Sequence, residues 1–88
     1  MVLVKNKKNT SNDNPPEGFS SWIDYWNYKK GVKATWCRRC NHDKKYDLNG
    51  GHVIDKNENT YITPLCSECN SYTNTDYFSV NENDLVKI

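Results

Sequence analysis

Apolar side chains along this sequence come in short runs divided by long polar stretches. The first run, Val2–Val4, gives way to residues rich in Asn, Lys and Ser that close on the breaker "NPPEG". Residues 1–18 therefore read as a flexible polar and basic tail with a short extended piece at Val2–Val4. A competing reading, allowed by the apolar positions at its start, packs this arm as an edge strand. "SSWIDYWNYKKG", residues 20–31, reads as a helix. Ser20 or Ser21 can accept from the free amide hydrogens of the first turn, and Asp24 suits the positive N-terminal end. Lys29 and Lys30 suit the opposite end, and Gly31 can stop the helix. Trp22 and Trp26 stand four residues apart on one helical face, where they can cover a core or offer an aromatic platform.

Farther on, "KATWCRRCNHDKKYDLNGGHVI" reads as a strand, a cysteine turn, a polar loop and a second strand. Asn49-Gly50-Gly51 is a turn signal, because such residues tolerate positive φ. "DKNEN" marks another turn, and "TYITPL" is rich in the Tyr, Ile and Thr that favour strands. "CSECNSY" reads as a short helix starting at the second cysteine pair. Tyr77–Val80 and Leu85–Ile88 read as two short β segments around an Asn/Asp turn. The pattern predicts one α+β domain over residues 19–88: an aromatic N-terminal helix, a β-hairpin, a short helix and C-terminal β segments. No segment repeats another.

Composition changes this picture by thinning the core. The chain has 88 residues, 35% of them hydrophobic, and a mean hydropathy of −0.98. A chain of this size buries only about two-thirds of its unfolded surface. Small domains with thin cores rely on a disulfide or metal staple, and four cysteines are at hand. No apolar run approaches the roughly 20 residues that span a bilayer, and the start has no stretch suited to a signal peptide. These features lead to the expectation of a soluble, cytoplasmic chain without a membrane partner. In a reducing compartment, paired cysteines bind metal more readily than each other.

Charge is balanced overall, with a formal net of +1, but unevenly spread. Arg38, Arg39, Lys44 and Lys45 cluster around the first cysteine pair and are the candidates for contact with a partner. Four thiolates and one Zn²⁺ together add a net −2, which would turn the formal +1 into −1. A near-neutral domain lacks the general attraction that drives nonspecific nucleic-acid binding, although a local basic face leaves phosphate contact open.

Cys37-x-x-Cys40 and Cys66-x-x-Cys69 are separated by 25 residues. Two such turns can supply tetrahedral sulfur ligation to Zn²⁺, because each tight turn converges two sulfurs and turns amide hydrogens onto them. Disulfide chemistry within a Cys-x-x-Cys pair belongs with a βαβ unit, which this pattern lacks. His42, two residues beyond Cys40, could replace one thiolate, but four cysteines already complete the set. No small-molecule cofactor is expected.

The segment "NGGHVIDKNENTYITPLCSECN" resembles the His-Asn-His (HNH) endonuclease motif, a ββα-metal element on a treble-clef zinc fold. It is also similar to small bacterial and phage proteins with a Gly-x-His-Val followed by Pro-Leu-Cys-x-x-Cys-Asn. The resemblance spans residues 20–88 and implies His52 as the general base that activates water. It implies Cys37, Cys40, Cys66 and Cys69 as structural zinc ligands. Asn70 falls where the motif's last metal-binding histidine stands. Gly51 occupies the position of a metal-binding Asp or His, and Tyr61 that of the base-orienting Asn, with Asn59 two positions away.

Phosphodiester hydrolysis needs a base beside the attacking water and a cation to stabilise the developing charge. Losing the carboxylate at position 51 removes a strong Mg²⁺ ligand, for which Asp47 or Asp55 would have to substitute. The preferred reading is a non-catalytic zinc module, built on a degenerate HNH-like fold, for a protein or nucleic-acid partner. His52 then serves the fold, its ring hydrogen-bonded beside the zinc knuckle. The alternative is a metal-dependent HNH-like endonuclease with His52 as base, Asn70 as ligand and a second divalent cation. A thiol redox protein is a third reading.

Overall fold

The computed structural model describes residues 1–10 and 12–88. Its elements run β1 (Val2–Asn6), α1 (Trp22–Lys30), β2 (Asn49–Asp55), β3 (Thr60–Leu65), β4 (Phe78–Val80), a 3₁₀ turn (Glu82–Asp84) and β5 (Val86–Lys87). The strands form one sheet in the order β4-β1-β2-β3-β5, and every neighbouring pair is antiparallel. This is the α+β arrangement the sequence predicts.

Helix α1 forms for the reasons legible in its residues. Ser21, in extended conformation, accepts from the Asp24 amide, and Gly31 closes the helix at φ 70° with its amide on the Asn27 carbonyl. One side of α1 lies on the sheet face that carries Gly50, His52 and Ile62, and Trp26 is almost fully buried there with Ala34, Ile62 and Val86. Trp22 is half-buried at the edge of the same contact. The opposite sheet face carries Val4, Val53 and Leu65, and the cysteines pack against it. The sheet therefore divides two small cores, one covered by the helix and one by the cysteine turns.

Four local expectations are corrected. Val2–Asn6 is a strand between β2 and β4, with Val4 fully buried, and so is neither a mobile tail nor a sheet edge. Residue 11, inside the segment read as a tail, lies outside the described residues.

Asn49-Gly50-Gly51 does not turn; it opens β2 and pairs with Leu65, Pro64 and Thr63. The hairpin turn lies at Lys56–Asn59, within the turn expected at "DKNEN". There Glu58 takes φ 65°, and the Asp55 carboxylate accepts from the amides of Asn57 (2.8 Å) and Asn59 (2.9 Å).

No helix follows Cys66 among the described residues. The chain makes one helical turn, Asn70 N to Cys66 O at 2.8 Å, and then bends away. The Asn74 side-chain amide donates to the carbonyls of Glu68 (2.6 Å) and Cys69 (3.3 Å), taking groups that a continuing helix would use. The strand expected before Cys37 is likewise a single bridge, Trp36 to Asp43.

Candidate metal centre and the cleft at His52

The first cysteine turn closes with the Asn41 amide on the Cys37 carbonyl (2.9 Å), Asn41 sitting at φ 65°. The second turn starts where β3 ends. Together they bring the Sγ atoms of Cys37, Cys40, Cys66 and Cys69 within 4.8 Å of one another, with no disulfide among them. A Zn–S tetrahedron has edges of about 3.8 Å, so the quartet fits a four-coordinate ion after a small contraction. Exposed His42 is not among the grouped ligands and contributes only its carbonyl, which accepts from the Cys37 amide at 3.1 Å.

The electrostatics suit a cation. Burial works against ionising Cys37, but the amides of Cys40, Cys66 and Arg39 turned onto its sulfur hold it down at about 7. Burial and the neighbouring Cys66 thiol push Cys69 up to about 12, and burial raises Cys66 as well. Without a metal, such a cluster favours one thiolate among several thiols. A divalent ion reverses that preference and deprotonates its ligands. Arg39 adds a positive group, its Nη1 3.9 Å from the Cys69 sulfur and its guanidinium 5.7 Å from the Phe78 ring.

The four basic residues read as partner contacts separate into different roles. Arg38 is only 8% exposed. Its guanidinium lies 3.6 Å from the Trp36 ring centre and 5.2 Å from that of Trp26, and Nε is 3.2 Å from Asp84 Oδ1. It is a buried cation held by two indoles and a carboxylate, and it offers no contact surface. Arg39 is committed to the cysteine cluster, Lys44 is half-buried, and Lys45 is exposed.

His52 lies on the helix-covered face, 7% exposed. The Trp22 ring meets it edge-on at 4.8 Å, and Nε2 is buried without a hydrogen-bond partner. The nearest carboxylate oxygen, Asp13 Oδ2, is 4.0 Å away. The expectation of a ring hydrogen-bonded beside the zinc knuckle is therefore corrected: Nε2 has no partner, and the cysteines pack on the other face of the sheet. Burial lowers the His52 pKa more than Asp13 raises it, and Lys7 acts in the same sense as burial.

His52 opens onto a cleft of about 300 Å³ bordered by Thr10, Asp13, Trp22, Asn49 and Asn70. Asn70 and His52 thus border one cleft. Asp13 was not anticipated, because a lone acid in an aperiodic polar stretch carries no signal; Trp22 Nε1, donating to the Asp13 carbonyl at 3.0 Å, places it. The suggested substitute ligands are engaged elsewhere. Asp55 is held by the hairpin turn and by the Tyr61 hydroxyl (3.1 Å), and Asp47 accepts from the Ser67 hydroxyl and amide.

A side chain at Gly51, where the motif would place a ligand, would have to displace the ends of two neighbouring side chains. A Cβ would stand 2.5 Å from Leu65 Cδ1 and 2.9 Å from Asn70 Oδ1. Comparison with protein-family models, with curated proteins and with solved structures finds no match to this chain.

Proposed function

We propose that this domain is a structural zinc module that acts by binding a partner rather than by catalysis. The observation that carries the reading is the four-sulfur cluster, whose spacing, amide surroundings and nearby Arg39 suit a tetrathiolate Zn²⁺ site. Cys37, Cys40, Cys66 and Cys69 would hold the ion, which would supply folding energy and no reaction. The packed contact at Gly51 supports the non-catalytic half of the reading. At this point a ligand for a second ion would collide with Leu65, and the one-turn segment after Cys66 departs from the ββα-metal element.

A second reading, an HNH-like endonuclease, draws support from His52, Asp13 and Asn70 bordering one cleft. A cation with ligand bonds of about 2.1 Å could bridge groups 4.0 Å apart such as His52 Nε2 and Asp13 Oδ2. One experiment separates the two. Zinc-loaded protein is incubated with plasmid DNA and Mg²⁺, Mn²⁺ or Ni²⁺, beside His52→Ala. The binding-module reading expects bound zinc and intact plasmid; nicking by the parent chain that the variant loses would establish the nuclease instead.

A further inference from the structure

A second depression adjoins the His52 cleft, sharing Thr10 and Asn70 with it. This groove, of about 570 Å³, runs between the end of β1 and the loop after the second cysteine turn. Asn6, Lys7 and Lys8 form one bank; Asn70, Tyr72 and Asn74 form the other. Asn6 ties the banks together, donating through Nδ2 to the carbonyls of Cys69 (2.8 Å) and Ser71 (3.3 Å). Its Oδ1 is buried with no donor. A buried acceptor left without a partner is costly and uncommon, so a donor able to reach this atom would gain a hydrogen bond. Lys7 and Lys8 are exposed, Lys7 Nζ resting on Thr60 Oγ1 at 3.3 Å beside the groove and Lys8 making no side-chain hydrogen bond among the described residues, and no carboxylate among them borders the groove. Tyr72 is 87% exposed. A solitary exposed tyrosine is ordinary; its place in one groove with two lysines and a residue carrying an unpaired acceptor is what singles it out.

We propose that this groove binds a single-stranded nucleic-acid segment, with a backbone phosphate at Lys7 and Lys8, a base stacked on Tyr72 and a donor of the ligand on Asn6 Oδ1. The proposal rests on the binding-module reading above and names its partner. Cationic side chains that track a backbone, with an aromatic ring for a base, are the working parts of single-strand recognition. Tyr72 is the single aromatic side chain bordering the groove among the described residues, and lysine is depleted at protein–protein interface cores, so the lining suits a peptide poorly. Duplex is also disfavoured. The groove is built from a strand end and turns, with no helix to enter a major groove, and a base must leave its stack to lie on Tyr72. Past Asn70 the path reaches Asp13, whose carboxylate repels phosphate, so a base or sugar rather than phosphate would occupy the His52 end.

Fluorescence anisotropy of the zinc-loaded full chain with labelled oligo-dT and oligo-U, and with duplex of equal length, tests this. The expected result is single-strand binding that strengthens at low salt and exceeds duplex binding. Tyr72→Ala should weaken it about ten-fold, and Lys7→Ala with Lys8→Ala should lower the log–log salt slope by about one. Both variants should keep the parent's zinc content and melting temperature, since these side chains are exposed. Absence of single-strand binding by folded, zinc-loaded protein would overturn the proposal. So would an unchanged affinity in Tyr72→Ala, duplex bound as tightly, or an acidic peptide competing in place of the oligonucleotide. Zinc content of the same sample separates the two readings. A folded chain without zinc defeats the module itself, whereas a zinc-loaded chain that ignores oligonucleotides defeats only the groove.

Discussion

Gly50 and Gly51 are adjacent in β2 but make room for different neighbours. A Cβ at Gly50 would stand 2.5 Å from the Trp22 carbonyl carbon and 2.7 Å from the Ile23 nitrogen, both backbone atoms of α1. At Gly51 the obstacle is the Leu65 side chain, with the Asn70 amide oxygen behind it. Overpacking a core position costs about 1–3 kcal/mol when side chains can adjust. Gly51→Ala should fall in that range, and Gly50→Ala should cost more because the helix itself must shift. Urea midpoints of the two variants check the order; equal midpoints would show that α1 does not seat on Gly50. His52, next along the strand, gives a pH signature. Its pKa is lowered from 6.5 by burial first, against the pull of Asp13. The unfolded chain therefore takes up a proton at higher pH than the folded one. The stability that neutral His52 contributes is complete above about pH 6.5 and drains away as pH falls from there through the lowered folded value. His52→Gln should flatten the urea-midpoint profile between about pH 7.5 and 5.5 relative to the parent. Acid loss from metal-bound cysteines is common to both chains, so identical profiles would refute the assignment.

At the scale of elements, β1 supplies the sharpest contrast between sequence and structure. It pairs with β2 through Val4–Asn6 and with β4 through Val2–Val4, so among the described residues it is the only strand linking β4 to the rest of the sheet. Deleting residues 1–6 should therefore release Phe78–Val80 as well and expose Val53 and Val80, lowering the melting temperature sharply. Hydrogen exchange at the β4 amides checks it: unchanged protection would return this segment to the status of a tail. Nothing local in "MVLVKN" could show this, because its partners lie more than forty residues away and pairing is decided by what remains uncovered after β2 and β3 associate. The helix was legible because its signals, Ser21, Asp24, the two lysines and Gly31, act within its own turns. The cysteine turns were legible for the same reason. The glycine pair was misread because glycine serves both positive φ and close approach, and only the position of α1 decides between them. The missing helix after Cys66 has a similar origin. Its Asn and Ser residues hydrogen-bond to nearby backbone, and Asn6, from the far end of the chain, claims the Cys69 carbonyl. Asp13 and the Asn6 acceptor left no trace in the sequence because each matters only through a neighbour distant along the chain.

Over the whole molecule, only one of the two small cores contains the candidate metal ligands. The helix-side core has Trp26, Ile62 and Val86, with the Trp26 indole donating to the Asp84 carbonyl at 3.0 Å. The other core includes Cys37, Cys66 and Cys69 among its buried members, beside Val4, Val53, Leu65 and Val80. A structural Zn²⁺ contributes on the order of 10 kcal/mol at neutral pH, comparable to the 5–15 kcal/mol that holds a small domain together. Without such an ion, sulfurs within 4.8 Å of one another would repel as thiolates or take up protons. The helix-side core cannot persist alone, because Arg38 joins the two. It follows Cys37 in the first cysteine turn and is wedged between Trp26 and Trp36 against Asp84. Opening that turn withdraws the buried cation from Trp26 and strands Asp84, and breaking such a pair costs roughly 3–5 kcal/mol. Chelation with EDTA, or Cys37→Ser, should therefore unfold both cores together. Near-UV circular dichroism from the tryptophans and the chemical shifts of the Ile62 and Val53 methyl groups should collapse in one transition and return when Zn²⁺ is added back. Retention of the Ile62 and Trp26 signals after zinc is removed would mean that the helix-side core folds without the metal and that Arg38 does not couple them.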